Sequence, residues 1–396
     1  MKKIIAFLLL ACMMATALVS CGGNTDTPEE TGEETKAEQP KEFVPEVIPA
    51  SNINPRDIVV DYMYKMANIE WTPSKDIDFT TGDNKIHDKL YYKKGTKYHG
   101  IIYVTGSHTM VDYDEFMSKL NENGEYIGPV TKKDGWGNHC SSAIRLAYDR
   151  VQYNLSFGST IGMVPSKKMG TIPVGDYTFE DSFTTTDEII EANSRDVIMD
   201  SYTKLQKGDS ILTCWGPTGH ARMVISVKIE RNNAGKINTG RSMVTCIEQT
   251  NSFDAQRKDG VNTTWYVEHN YTFNDLYEAK YIPLSIDALN VEAKDVEFTV
   301  KSINSPTNLL EGTLKGIIRN EDLRINGVTV DFVDKDGNVV ATGYYENKNN
   351  DLKVFQFQNR QIPEEVKSLP AGDYTCYFTA HTLYGTAKVA KIDFTK

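Results

Sequence analysis

The feature that most constrains the fold of this chain is an amphipathic segment that begins beside Cys140. Its apolar residues recur at the spacing of one helix face: Ile144, Ala147, Tyr148 and Val151. Gly137 and Asn138 precede it, at the place where the start of a helix needs a cap. The sequence therefore predicts a helix with a cysteine in its first turn. Unpaired backbone N–H groups and the positive end of the helix dipole favour a thiolate there.

Three predicted strands downstream can bring a base to this thiol. A turn at Gly208 and Asp209 leads into the first strand, and His220 opens the second, which is rich in β-branched residues. The third ends in the polar residues Glu248 and Gln249. Because side chains alternate along a strand, only one of these two can orient the imidazole. We favour Glu248, since a carboxylate also stabilises an imidazolium. Together the cysteine, the histidine and this partner make a nucleophile, a base and an orienting group.

The order of the predicted elements places residues 51–290 in the α+β class, because helices come first and antiparallel strands follow. Asn54 and Pro55 begin the first helix with a capping residue and a proline at the first helical position. The other elements predicted before the Gly208 turn are a helix at 112–120, a loop at 157–183, and helices that start near Thr186 and Ser194.

The pattern changes at about Val291, where regularly alternating strands replace the mixed elements. Alternation covers 296–300, 328–333 and 375–379, and a hairpin turn is predicted at 334–338. The segment 369–374 is similar to the turn and strand near the end of many immunoglobulin-like modules. We therefore predict a separate all-β, immunoglobulin-like sandwich over residues 291–396, which is an ordinary size for a domain.

The N-terminus has the organisation of a secretory leader. A basic start is followed by an apolar run at residues 4–10, too short to be a lasting membrane span, so residues 1–20 are predicted to be a signal peptide. The small residues before Cys21 resemble the bacterial lipobox, in which that cysteine is lipidated; the alternative is ordinary cleavage nearby. Residues 21–50 would then form a lipidated, disordered, acidic linker. The prediction is a membrane-anchored lipoprotein of the cell envelope.

Charge and cysteine content narrow the set of partners. The formal net charge is −11, and loss of Lys2 and Lys3 with the leader makes it −13, which argues against binding of nucleic acid. The cysteines that remain besides Cys12 and Cys21 fit no disulfide framework and no metal-ligand spacing: Cys140, Cys214, Cys246 and Cys376. No metal or cofactor is expected.

Two of these cysteines lie near neighbouring predicted strands. A disulfide bond between Cys214 and Cys246 is one possibility, and two buried free thiols are the favoured alternative. Cys376 lies on an alternating strand and is predicted to be a packing residue.

Two short motifs resemble the NlpC family of papain-like cell-wall peptidases and the related CHAP enzymes. They are the Cys140-Ser141-Ser142 helix and the Gly208-Asp209 turn with the Gly219-His220 strand, and the resemblance extends over residues 51–287. It implies a lipid-anchored cysteine hydrolase that cleaves peptide or amide bonds in the stem peptides of peptidoglycan. Cys140 would attack the carbonyl, His220 would act as base and then as acid, and Ser141 would contact substrate.

The chain departs from the family pattern at two site positions. His139 stands where NlpC enzymes usually carry an aspartate that holds the amine of the substrate, and an imidazole cannot replace a carboxylate in that role. His139 can instead face the substrate and support the oxyanion. Tyr103 follows Gly100 in a segment similar to the Gly-x-Pro-Tyr segment of the family, without its proline. The resemblance implies that Tyr103 binds substrate, and the alternative is a core tyrosine.

Other functions stay open at this level. A catalytically inactive cell-wall-binding or scaffold lipoprotein would keep the same fold, with the sandwich as its adhesive module. An N-acetylmuramoyl-L-alanine amidase would use the same pair of residues on a different bond. In each case the expected partners are peptidoglycan and the membrane, reached through Cys21, and the expected state is a monomer.

Overall fold

The computed structural model describes residues 43–106, 108–152, 155–292, 294–321, 323–348 and 353–396. The predicted signal peptide, the lipidation site at Cys21 and most of the predicted linker lie outside these residues. Within them the protein combines short helices with mainly antiparallel strands, so the predicted α+β class is confirmed.

The first helix begins with the capping residue and the proline that the sequence predicts. The side chain of Asn54 caps it by accepting a hydrogen bond from the backbone N–H of Asp57, and Pro55 occupies the first turn. The α-helices of the described residues are α1 Pro55–Ala67, α2 Tyr113–Met117, α3 Cys140–Tyr148, α4 Thr186–Glu191, α5 Arg195–Thr203, α6 Phe273–Glu278, α7 Pro306–Leu310 and α8 Glu364–Lys367.

Strands occur throughout the described residues. Those before residue 290 are β1 Glu70–Pro73, β2 Ile77–Asp78, β3 Tyr91–Tyr92, β4 Tyr98–His99, β5 Glu125–Tyr126, β6 Thr171–Pro173, β7 Ser210–Cys214, β8 Gly219–Lys228, β9 Met243–Gln249, β10 Asn262–Thr263, β11 Trp265–Thr272 and β12 Ile282–Ile286. Those after it are β13 Thr299–Lys301, β14 Thr313–Leu314, β15 Ile317–Arg319, β16 Gly327–Asp334, β17 Val339–Glu346, β18 Val354–Gln356, β19 Arg360–Gln361, β20 Asp373–Thr382 and β21 Gly385–Thr395.

A six-stranded antiparallel sheet is the support of the first core. Its strand order is β11-β9-β8-β7-β12-β6, so the three strands predicted to carry the base and its partner lie side by side at β7, β8 and β9. Helix α3 packs on β8, and α1 packs on α3. The loop-like stretch predicted at 157–183 also contains the short strand β6, which pairs with β12 at the sheet edge.

A second hydrophobic core lies in the C-terminal part of the chain. It contains buried residues between Val296 and Phe394 and is supported by an antiparallel sheet in the order β17-β16-β20-β21. Ile48 belongs to this core: it is 1% exposed and pairs with Val296. The linker predicted up to residue 50 therefore ends earlier, because an apolar side chain there finds a buried place on the C-terminal strands. No helix of the described part of the chain is both long and apolar enough to cross a membrane.

Candidate active site

Helix α3 begins with Cys140 as its first residue, and its cap is His139. The Nδ1 atom of His139 accepts a hydrogen bond from the backbone N–H of Ser142 at 3.3 Å. In return the Ser142 hydroxyl accepts one from the backbone N–H of His139 at 2.9 Å. The prediction that Gly137 or Asn138 caps the helix is therefore wrong. Asn138 is used elsewhere, because its side-chain oxygen accepts a hydrogen bond from Val111 N–H at 3.0 Å.

Gly137 does not cap the helix but allows two backbone segments to approach each other closely. A Cβ atom at this position would lie 2.1 Å from the carbonyl oxygen of Ile102. The close approach allows Asn138 N–H to donate to Ile102 O at 3.0 Å and Val104 N–H to donate to Asn138 O at 2.8 Å. The segment that contains Tyr103 is thereby held against the residues that lead into Cys140.

Strands β8 and β9 position the predicted base and its partner on one face of the sheet. His220 and Arg222 are two residues apart on β8, so their side chains point the same way. The pairing of Met223 with Ile247 places Arg222 beside Glu248 on β9. Glu248 is 2% exposed and contacts both: His220 Nε2 hydrogen-bonds to its carboxylate, and Arg222 Nε donates to the same oxygen at 2.8 Å.

Glu248 is fixed from a third side by β11. The hydroxyl of Tyr271 donates a hydrogen bond to the other oxygen of the Glu248 carboxylate. Burial of this carboxyl raises its pKa, but the charge and hydrogen bond of His220 and the charge of Arg222 outweigh burial and hold the pKa at about 2. Glu248 is therefore a buried, ionised group whose oxygens are all engaged.

The surroundings shift the pKa values of the cysteine and the histidine in opposite directions. Burial raises the pKa of Cys140, but hydrogen bonds from His139 and His220 outweigh burial and bring it down to about 5. Burial lowers the pKa of His220, but the charge of Glu248 and the hydrogen bond to Cys140 raise it to about 9. Between these two pH values the pair exists as a thiolate and an imidazolium. Since Glu248 takes Nε2, the ring nitrogen left for the sulfur is Nδ1.

Arg222, Tyr271 and Tyr281 belong to the site and were missed by the sequence analysis. The guanidinium carbon of Arg222 lies 3.8 Å from the ring centre of Tyr271 and 4.4 Å from that of Tyr281. For Arg222 the sequence holds a signal, namely its spacing of two from His220 on a predicted strand. Tyr271 gives no such signal, because β11 has an irregular register between Tyr266 and His269 that shifts its pairing with β9.

The structure brings some of the predicted residues to the sulfur and leaves others away from it. Tyr103 is half-buried, and burial together with the nearby charge of Cys140 raises its pKa, so its hydroxyl keeps its proton. Ser141 is buried, with its hydroxyl oxygen 3.2 Å from His139 Nδ1. Gln249 points to the opposite face of β9, where its amide donates to Ile101 O at 2.8 Å. Of the two candidate orienting residues, Glu248 is the one that contacts His220.

The other three cysteines of the described residues are free and buried, so the open possibility of a bridge between Cys214 and Cys246 is not realised. Burial raises the pKa of Cys246, which keeps that thiol protonated. In the part of the chain that the structure describes, no group of three or more His, Cys, Asp or Glu side chains is arranged to hold a metal ion.

An open pocket of about 470 Å³ adjoins this arrangement. Its lining includes Arg222, Tyr271 and Tyr281, together with Thr213 on β7 and Trp215 in the turn that follows β7. Thr213 is the direct pairing partner of His220. The pocket is therefore continuous with the residues that hold the imidazole.

Comparison with known proteins adds little to this geometry. No protein-family model matches the chain, and no curated protein matches it by sequence. Among solved structures, CopC from Methylosinus trichosporium OB3b is 18% identical over 20% of this chain and 72% of its own, with a TM-score of 0.15. A tetra-tandem repeat from the extending region of a large adhesion protein is 15% identical over 47% of this chain and 41% of its own, with a TM-score of 0.20. Neither likeness bears on the site.

Proposed function

We propose that this protein is a cysteine hydrolase of the papain-like, NlpC type. The observation that carries the proposal is the placement of Cys140 at the start of α3, which packs on β8, where His220 is hydrogen-bonded to the buried Glu248. In this arrangement His139 and His220 lower the pKa of Cys140 to about 5, and Glu248 and Cys140 raise that of His220 to about 9. A thiol that is ionised at neutral pH beside a protonated imidazole is a prepared nucleophile with its acid in place. A purely structural cysteine has no need of such a pairing, as the protonated thiol of Cys246 illustrates.

In the proposed reaction the Cys140 thiolate attacks the carbonyl carbon of an amide and forms a tetrahedral oxyanion. Its C–N bond breaks as the His220 imidazolium gives its proton to the leaving amine, which leaves a thioester on Cys140. Water then attacks the thioester, His220 takes the proton of the water, and the C–S bond breaks to release a carboxylic acid. Glu248 stays ionised throughout and keeps the imidazole oriented.

Two groups are proposed to meet the oxyanion and the substrate. The backbone N–H of Cys140 lies in the first turn of α3, where helical N–H groups lack intrahelical partners and the helix dipole is positive. The hydroxyl of Tyr103, which keeps its proton and is near enough to feel the charge of Cys140, is proposed as a second donor. His139 is committed to capping α3 and to the thiolate, so its proposed part is to steady the nucleophile.

The proposed substrate class is the stem peptide of peptidoglycan, and the proposed location is the cell envelope, with a lipid on Cys21. Support comes from the resemblance of the cysteine and histidine motifs to cell-wall peptidases and from the lipobox-like leader. The C-terminal residues are proposed to be an immunoglobulin-like accessory module. Support comes from the sheet β17-β16-β20-β21 and from Tyr374, whose hydroxyl donates to Pro370 O at 2.9 Å, as in a tyrosine corner.

The experiment is digestion of purified stem-peptide fragments, with mass spectrometry of the products. The wild-type protein should release fragments that differ by the addition of one water, and Cys140→Ser should release none. Cys376→Ala is the matched control, because that cysteine is buried in the second core, away from the site. Hydrolysis by the Cys140→Ser variant would contradict the proposed thiol mechanism. An inactive wild type with an unreactive Cys140 would favour the scaffold function.

A further inference from the structure

The pocket beside the catalytic residues is built around an exposed tryptophan. Trp215 is 54% exposed, although it sits in a tight turn closed by a hydrogen bond from its N–H to Thr218 O at 3.0 Å. Thr213, two residues earlier, pairs with His220 on the neighbouring strand, and both Thr213 and Trp215 line the pocket. A large, exposed apolar ring that lines a pocket is a platform on which a ligand can stack.

The charge of the pocket specifies what can stack there. Its carboxylates are Asp187, Asp275 and Glu278, and its cations are Arg222 and Lys280. The charge of Arg222 is matched by Glu248. Three carboxylates therefore face one lysine, and the pocket has a negative field. Asp275 lies in the first turn of α6, where its carboxylate accepts a hydrogen bond from the hydroxyl of Thr272, the capping residue, at 2.7 Å.

We propose that this pocket binds a positively charged, amine-bearing side chain of the substrate peptide, with the ammonium group on Trp215 and near Asp187 and Glu278. The proposal rests on the proposed function, since it assigns a subsite of that same active site. An ammonium is attracted both by carboxylates and by the face of an indole ring, and tryptophan is the best aromatic partner for a cation.

The test measures binding separately from catalysis. The full chain carrying Cys140→Ala is titrated, at low salt, with the tripeptide Ala-γ-Glu-Lys and with the same peptide acetylated on the lysine side chain, and binding is followed by isothermal titration calorimetry. We expect the free amine to bind about tenfold more tightly than the acetylated form. Adding Asp187→Asn and Glu278→Gln should erase this preference, and adding Trp215→Ala should weaken binding of the free amine most.

The matched control is Glu311→Gln, an exposed carboxylate outside the pocket, which should keep the preference. Circular dichroism and thermal unfolding establish that each variant is folded. Equal binding of the two peptides, no detectable binding of either, or a preference that survives removal of both carboxylates would overturn the proposal.

Hydrolysis by the wild-type protein separates this proposal from the one on which it rests. If both peptides are cleaved with the same kcat/KM, the hydrolase stands and the amine subsite is wrong. If neither is cleaved although the Cys140→Ala protein prefers the free amine, the subsite stands and the hydrolase is wrong.

Discussion

Replacing Glu248 by glutamine removes the negative charge that faces His220 while keeping the size of the side chain. The ordinary pKa of a histidine is about 6.5, and in this site it is about 9. The difference amounts to about 3 kcal/mol in favour of the imidazolium. The charge of Glu248 is the largest influence that raises this pKa, so its loss should remove at least about 1.4 kcal/mol, a factor of ten. We expect the thiolate fraction of Cys140 to fall about tenfold at pH 4, where the wild-type thiol is only partly ionised, and by less than about twofold between pH 6 and 7.

The assay is the rate of Cys140 alkylation by iodoacetamide as a function of pH, read by mass spectrometry of the peptide that contains Cys140. The wild-type rate should rise with a midpoint near pH 5, and in Glu248→Gln the midpoint should move up by about one pH unit or more. Gln249→Leu is the matched control, because Gln249 lies on the opposite face. The carbonyl of Ile101 that it contacts also accepts from Trp265 Nε1 at 3.0 Å. A folded Glu248→Gln protein with the wild-type midpoint would refute this account of the ion pair.

Three further predictions test the support of the site. Tyr271→Phe removes one hydrogen bond to the buried carboxylate and should lower the free energy of unfolding by about 2 kcal/mol in urea denaturation; an unchanged value would contradict it. Gly137→Ala forces a Cβ against Ile102 O and should slow alkylation of Cys140, whereas Gly158→Ala, where a Cβ meets nothing within 4 Å, should not. Because the pKa of Glu248 is depressed to about 2, its stabilisation is present above about pH 4.5 and lost as pH falls toward 2. Acid titration of stability should therefore be flatter in Glu248→Gln, and equally steep curves would count against the buried carboxylate.

The sequence was sufficient for the residues whose roles depend on local pattern. Cys140 was found because helical periodicity starts beside it, and His220 because it opens a β-branched strand. Alternation showed that only one of Glu248 and Gln249 can face the histidine, and Glu248 was preferred because a carboxylate stabilises an imidazolium. The α+β class followed from the order of elements, which is also a one-dimensional property.

What the sequence could not supply was contact between distant segments. Tyr271 reaches Glu248 only because of the irregular register of β11, and Ile48 joins a core formed almost 250 residues later. The cap of α3 was misassigned for a related reason. Asn138 is the better capping residue by type, but its side chain accepts a hydrogen bond from Val111 N–H instead. His139 therefore caps the helix.

The proposed reaction passes through a covalent intermediate on the Cys140 sulfur, and this intermediate can be trapped. The protein is mixed with stem-peptide fragments, quenched in acid within seconds, and measured by intact-protein and peptide mass spectrometry. The proposed mechanism predicts a mass increase equal to the acyl part of the cleaved peptide, located on Cys140 and absent from Cys140→Ser. Cleavage of the fragments without any such adduct, or with the adduct on another residue, would contradict it.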